Sequence, residues 1–250
     1  MGEAKRKTAL MDKVGISVDT FGGRVHVEWD PNGAITTLGQ LPFLIEFLKV
    51  SGLFESFVSE CPLEYTSPNA PDKRDVLGTL LLSILSGHNR YAHIASVRHD
   101  NVNSEMLGMK KVVSEDSARK ALSAIAEKEG TAWLDKQLSH CTRPLLSHPW
   151  IMDGDTTIKV LYGKQEGAVC GYNPKKPGRP SHAYHTRFMA NTRLALDIEV
   201  EAGNKTSPIH DAGALFDWLD NTPKELWPAF FRGDCAYGTE KFLAELEQRL

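Results

Sequence analysis

Two aspartate-bearing stretches stand out by residue type and setting. Each ends an apolar, strand-like run: Trp150-Ile151-Met152-Asp153-Gly154-Asp155-Thr156-Thr157 and Trp227-Pro228-Ala229-Phe230-Phe231-Arg232-Gly233-Asp234. Carboxylates at the ends of adjacent strands can hold Mg²⁺, a hard cation that takes few protein oxygens and leaves its other positions to water and phosphate. Such a site serves phosphoryl transfer. Asp153 and Asp155 are two residues apart, so on a strand both point to one face, one as ligand and the other as helper. D-G-D-T-T and R-G-D also fit plain turns at strand ends, because Asp and Gly punctuate turns. The interval between Asp155 and Asp234 leaves room for two strands and a helix.

The interval itself is unusual. From Gly167 to Leu196 there is no acidic residue, while Lys175, Lys176, Arg179, Arg187 and Arg193 stand there with His182 and His185. Within it, Gly171-Tyr172-Asn173-Pro174-Lys175-Lys176-Pro177-Gly178-Arg179-Pro180 cannot be helical with three prolines and two glycines. It reads as a stiff, basic, exposed loop that can lie along a phosphate backbone and gain affinity by counterion release. A solvated surface loop is the plainer alternative. His88-Asn89-Arg90-Tyr91 offers further donors between two helices, or is simply the turn that joins them.

The elements that must position these groups follow from periodicity. Val25-His26-Val27-Glu28-Trp29 alternates like a strand, followed by a turn at Asp30-Pro31-Asn32-Gly33. Residues 36–60 read as two helical pieces broken near Ser51-Gly52, with Phe43, Phe47, Phe54, Phe57 and Val58 as core. A helix from Asp72 or Asp75 to Gly87 carries Val76, Leu77, Leu80, Leu81, Ile84 and Leu85 as its apolar stripe. A short helix is expected over Arg90–Val97. Ser114 caps a helix expected to reach Gly130, with Glu115 and Asp116 at its positive end and Ala118, Ala121, Leu122 and Ile125 inward. Another follows over 131–147. From Pro149 the pattern becomes strand-like over 151–162 and 182–201. A helix near 209–220, a strand at 228–234 and a helix from 239 complete it. The expected organisation is a mainly helical region over 1–148 and an α/β region over 149–250.

Composition narrows the classes. The chain has 250 residues, 41% of them hydrophobic and 24% charged, which is ordinary for a globular protein. A net charge of −3 means that any DNA contact must come from local basic patches. Cys61, Cys141, Cys170 and Cys235 form no C-x-x-C pair, which argues against a zinc finger and for reduced thiols. Lys5, Arg6 and Lys7 are followed by no long apolar stretch, and Val76–Leu85 is too short to span a bilayer. A cytoplasmic protein without membrane contact is expected.

Taken together, Asp155-Thr156-Thr157, the run Tyr162-Gly163-Lys164-Gln165-Glu166-Gly167, the G-Y-N-P-K-K-P-G-R-P-S-H run at 171–182 and Arg232-Gly233-Asp234 resemble the DDE transposases of the IS1380 family, within the IS4-like group. Pro62-Leu63-Glu64-Tyr65, Arg90-Tyr91-Ala92-His93 and Ser114-Glu115-Asp116 fit the same family, so the resemblance runs from about residue 36 onward. It implies an α/β, ribonuclease-H-like catalytic core, a mixed sheet with flanking helices, preceded by a mainly helical DNA-binding region. It also implies two Mg²⁺ (or Mn²⁺) ions held by two aspartates and a glutamate. Asp155 matches the first aspartate and Asp234 the second, with Asp153 as fallback for the first. Lys175, Lys176, Arg179, His182 and Arg187 are the expected DNA contacts. The implied partners are double-stranded DNA, as terminal inverted repeats and target, and further copies of the chain assembled on it.

The third acid is where the sequence departs. Only Glu240, Glu245 and Glu247 follow Asp234, on the helix just after the strand rather than on the later helix that carries the family's glutamate. A truncated transposase, inactive or nearly so on its own, is the expectation. A DNA-binding remnant without catalysis is one alternative. A haloacid-dehalogenase-like phosphatase is another, since Asp153-Gly154-Asp155-Thr156-Thr157 fits D-x-D-x-T with Asp153 as nucleophile. That reading leaves the basic loop without a role, and the acid it requires just after Asp234 is replaced by Cys235-Ala236-Tyr237-Gly238.

Overall fold

The computed structural model describes residues 16–27, 32–146, 149–173, 175–207, 210 and 212–249. The chain folds as two compact units, one of residues 1–58 and 63–125, the other of 59–62 and 126–250. Among the described residues no helix is long and apolar enough to cross a membrane. Lys5-Arg6-Lys7, and part of the turn expected at Asp30–Gly33, lie outside the described residues.

The first unit begins with an antiparallel hairpin, β1 (Ile16–Thr20) and β2 (Gly23–Val27). Helices α1 (Leu41–Ser51) and α2 (Leu53–Ser59) are separated at Gly52, whose φ of 70° ends α1 in a left-handed turn that glycine adopts without strain. Helix α3 (Lys73–Leu85) is capped by Asp72, whose carboxylate accepts from Arg74 N. Short helices α4 (Ile94–Val97) and α5 (Asn101–Met106) follow, the latter not anticipated from periodicity. Helix α6 (Glu115–Ser123) starts on Ser114, whose hydroxyl accepts from Ser117 N at 3.2 Å. Buried Asp75 and Thr79 tie α3 to the strap ahead of α6, accepting from Lys110 N at 2.8 Å and Val113 N at 3.0 Å.

Some expected core positions are not core. Phe43 and Phe47 are 74% and 56% exposed on α1, and Ile84 is 66% exposed on α3. Leu41 and Ile45, on the opposite side of α1, pack instead with Phe54, Leu82 and Leu107. A short helix buries only one face, and the aromatic spacing did not reveal which.

In the second unit, helix α7 (Glu127–Thr142) starts earlier than expected and α6 stops at Ser123, because Ala126 is extended (ψ 138°) and breaks the helix. Helix α7 lies against strand β6 (Leu194–Ala202) of this unit, so the contacts divide the chain near Ile125–Ala126 rather than near 148. The sheet is mixed and open: β3 (Ile151–Val160), β4 (Val169–Cys170), β5 (Pro180–Met189), β6 (Leu194–Ala202) and β7 (Phe230–Arg232). Strand β5 pairs antiparallel with β3 on one edge and with β6 and the short β4 on the other. The 182–201 run is therefore a hairpin, turning at Ala190–Arg193, where Arg193 has a φ of 57°. Strand β7 pairs with the far edge of β3 and runs parallel to it.

The alternation of β5 sends Ser181, Ala183, His185, Arg187 and Met189 to a buried face. Met152 and Gly154 of β3 join that face, opposite Met189 and Arg187. Trp150, Met152, Met189, Leu196, Leu215, Phe216, Tyr237 and Phe242 form the core beneath it, with helices α8 (Ala212–Asp220) and α9 (Glu240–Glu247) packed on. Trp150 Nε1 donates to Leu226 O at 3.1 Å, which fixes the segment leading into β7.

Two glycines make room for Tyr237. A Cβ on Gly154 would lie 2.8 Å from Phe231 Cζ and 3.0 Å from the Tyr237 hydroxyl; one on Gly233 would lie 2.4 Å from Tyr237 Cδ2. Gly154→Ala and Gly233→Ala should each destabilise the unit by about 1–3 kcal/mol through overpacking. Gly213→Ala, where a Cβ on helix α8 meets nothing, should be neutral or stabilising by up to about 1 kcal/mol. Urea-unfolding midpoints of the three variants check this ordering.

Candidate functional site

Strand β3 runs through the D-G-D-T-T motif without turning, so Asp153 and Asp155 sit in the body of a strand rather than at its end. They share one face, with Phe188, Thr186 and Tyr184 of β5 opposite Asp153, Asp155 and Thr157. Pairing with β7 ends at Asp153↔Arg232. Beyond it the edge of β3 is open, and Asp155 stands exposed just there.

The parallel register carries the site. Ile151, Met152 and Asp153 face Phe230, Phe231 and Arg232; Asp155 lies two residues past this last rung on β3, and Asp234 two residues past the end of β7. The central glycines of D-G-D and R-G-D both vacate space for Tyr237.

The carboxylates differ in what they already hold. Asp153 is 30% exposed and takes a bidentate pair from Arg232, Nε to Oδ1 and Nη2 to Oδ2, both at 2.7 Å. That pairing holds the Arg232 guanidinium above its ordinary pKa. Asp234 caps the 3-10 turn Cys235–Tyr237, Oδ1 accepting from Ala236 N at 2.9 Å, so the turn reading of R-G-D is also correct. Among the described residues, the Asp155 carboxylate has no hydrogen-bond or ion-pair partner. Asp155 and Asp234 thus offer hard oxygen donors, while both oxygens of the fallback Asp153 are engaged. No group of three or more His, Cys, Asp or Glu converges among the described residues to enclose a metal. Glu240 and Glu245 lie on α9, as expected, and do not complete one.

The basic residues divide into three settings. Lys175, Lys176 and Arg179 are exposed. Buried Asn173 shapes their loop, its Oδ1 accepting from the backbone N of Lys175 and Lys176 at 3.2 and 3.1 Å. Tyr162 lies between two of them: Lys176 Nζ donates to its hydroxyl and sits 5.0 Å from the ring centroid, with Arg179 Cζ 5.3 Å away. His182, half-buried on β5, places Nε2 2.9 Å from Glu166 O and pins the loop after β3.

Arg187 corrects an expectation. It is 1% exposed, on the face opposite the aspartates, and forms an ion pair with Asp197 of β6. A DNA phosphate cannot reach it there; the strand period of two turns it inward. His185 beside it bonds Thr156 Oγ1 at 2.9 Å and Lys205 O at 3.0 Å. His88 is likewise structural, its two ring nitrogens 3.2 Å from Ser83 Oγ and Ser96 Oγ.

Comparison of the chain with known protein families, with characterised proteins and with solved structures finds no match. The functional argument therefore stands on residues and geometry. One consequence is spectroscopic: the hydrogen bond from Lys176, aided by the charge of Arg179, lowers the Tyr162 pKa from its ordinary value. Tyr162 should ionise before a free tyrosine in a pH titration followed by tyrosinate absorbance. Lys176→Met should return its midpoint toward about 10.

Proposed function

We propose that the second unit is a metal-dependent, nucleic-acid-processing core of the DDE transposase type, its mixed sheet of a ribonuclease-H-like kind. The observation that carries this reading is the parallel pairing of β3 with β7 that ends at Asp153↔Arg232, with exposed Asp155 two residues further along β3 and exposed Asp234 two residues past the end of β7. The resemblance to IS1380-family transposases calls for one aspartate on the first strand of the core and another at the end of a neighbouring strand; Asp155 on β3 and Asp234 just past β7 support that reading.

The donor set fits the implied cation. Two carboxylates suit Mg²⁺ or Mn²⁺, which binds through one or two acids and completes its shell with water and phosphate oxygens. Asp155 and Asp234 would hold it. When bound, it would polarise the phosphoryl oxygen and lower the pKa of an attacking water or 3′-hydroxyl. The chain's own further contribution is electrostatic. Lys175, Lys176 and Arg179 stand on one ordered loop and can track a DNA backbone, with Tyr162 holding Lys176 and Arg179 in place.

In-line transfer by two metals needs a further acid, and the described residues bring together no third one. By itself the chain is expected to bind divalent cation and duplex DNA and to cleave slowly or not at all. The second reading, a DNA-binding remnant, draws on the same gap. The phosphatase reading is disfavoured by the Arg232 fork, which engages both oxygens of the Asp153 that would have to attack.

Two measurements test this function. Mn²⁺ binding, followed by electron paramagnetic resonance, should weaken at least about tenfold in Asp155→Asn or Asp234→Asn, since each removes one of the few protein ligands. Affinity for a duplex oligonucleotide should fall with salt, and the log–log slope should drop by about one for each of Lys175, Lys176 and Arg179 changed to Gln. Robust cleavage of end-labelled duplex DNA by the chain alone with Mg²⁺ would overturn the account of the missing acid.

A further inference from the structure

The basic segment is a β-hairpin loop with a built frame. Residues 171–179 join β4 to β5, and the Cys170↔Pro180 rung closes their base. Cys170 Sγ donates to Gly178 O at 3.3 Å, a second tie across the same loop. Gly171 lies directly on the backbone of Gly203 and Asn204, with no room for a Cβ, so the loop leaves the sheet at a fixed point. Tyr172 follows at once. The loop presents two kinds of group: the cations Lys175, Lys176 and Arg179, and the ring of Tyr172, which is 70% exposed. We infer that Tyr172 is a stacking platform for an unpaired base, so that this hairpin takes single-stranded nucleic acid in preference to duplex. This rests on the proposed nucleic-acid binding by the three cations.

Three observations favour a base as the ligand of this ring. First, the two tyrosines of the region are in opposite states. Tyr162 already has Lys176 and Arg179 against its ring, 5.0 and 5.3 Å from the centroid. The Tyr172 ring and hydroxyl meet no hydrogen-bond, ring or cation partner among the described residues, so its face is available. Second, no acid from Gly167 to Leu196 opposes a phosphate. A bare ring beside cations is the combination that holds single strands: phosphates meet the cations, and every base offers a π-face. In a duplex those faces are already stacked on one another. Third, residues 171–180 contain no Leu, Ile, Val, Met, Phe or Trp, so the loop has no apolar anchor with which to enter a lipid surface.

The test compares two ligands on the full chain at one salt concentration, an oligothymidylate and a duplex oligonucleotide, each followed by fluorescence anisotropy. Tyr172→Ala should weaken oligothymidylate binding at least about fivefold, the loss expected of one stacked base, and leave duplex binding within about twofold. Tyr172→Phe, which keeps the ring, should match the unaltered protein on both. In the unaltered protein the Tyr172 ring-proton resonances should move upfield with oligothymidylate and stay in place with duplex, a signature that needs no variant to fold. The double variant Lys175→Gln/Lys176→Gln should weaken both ligands. If it does so while Tyr172→Ala spares the single strand, or harms both ligands equally, the inference is overturned and the electrostatic reading stands. Binding to phosphatidylserine vesicles that Tyr172→Ala abolishes, with both oligonucleotides unaffected, would overturn it in favour of a lipid surface. If neither oligonucleotide binds, the nucleic-acid reading itself fails and takes this inference with it.

Discussion

The parallel pairing of β3 with β7 is the constraint on which the candidate site depends. Only three residue pairs make it, Ile151↔Phe230 to Asp153↔Arg232, and a pairing that short has few hydrogen bonds of its own. What holds it in register is beneath it. Gly154 and Gly233 leave a hollow that Tyr237 fills, and the Phe231 and Phe242 rings pack on Tyr237 with centroids 5.2 and 5.4 Å away. Slipping the pairing by one residue would turn Phe231 out of this cluster and drive a side chain into it. The Arg232–Asp153 fork locks the same rung from the exposed face.

Charge is partitioned between the two faces of the sheet. On the buried face Arg187 is neutralised by Asp197, because a cation taken out of water requires a counter-charge. On the other face Asp153 is neutralised by Arg232, yet solvent reaches both partners, so that pair contributes little to stability and remains exchangeable. Two pairings of similar chemistry thus do different things. The inner one is part of the core, and the outer one sets how many free carboxylates the edge presents.

The basic loop shows how a segment without helix or ladder is given a shape. Its prolines restrict φ, and Asn173 substitutes for a turn by accepting two backbone N–H groups. Tyr162, from the end of the preceding strand connection, gives Lys176 and Arg179 an aromatic surface to rest on. Cations ordered in this way lose less conformational freedom on meeting a phosphate backbone than free lysines would.

Much of the framework was legible from sequence because local signals govern it. Gly52 broke α1 from α2, Asp72 and Ser114 capped their helices, and the change from helical to strand-like character appeared where the sheet begins. The basic loop was legible from its prolines and its lack of acids. What composition and periodicity left undetermined was orientation. Period two gives alternate faces to β5 but not which face is inside, so Arg187 was expected at a DNA surface and lies buried. Helical spacing identified the aromatic residues of α1 but not that Phe43 and Phe47 face outward. The sequence by itself determined that two aspartates stand on strand-forming runs with a basic loop between them. Only the tertiary structure decided which carboxylate is unengaged, since that turns on a pairing between residues far apart in the chain that sets Arg232 against Asp153 and leaves Asp155 without a partner.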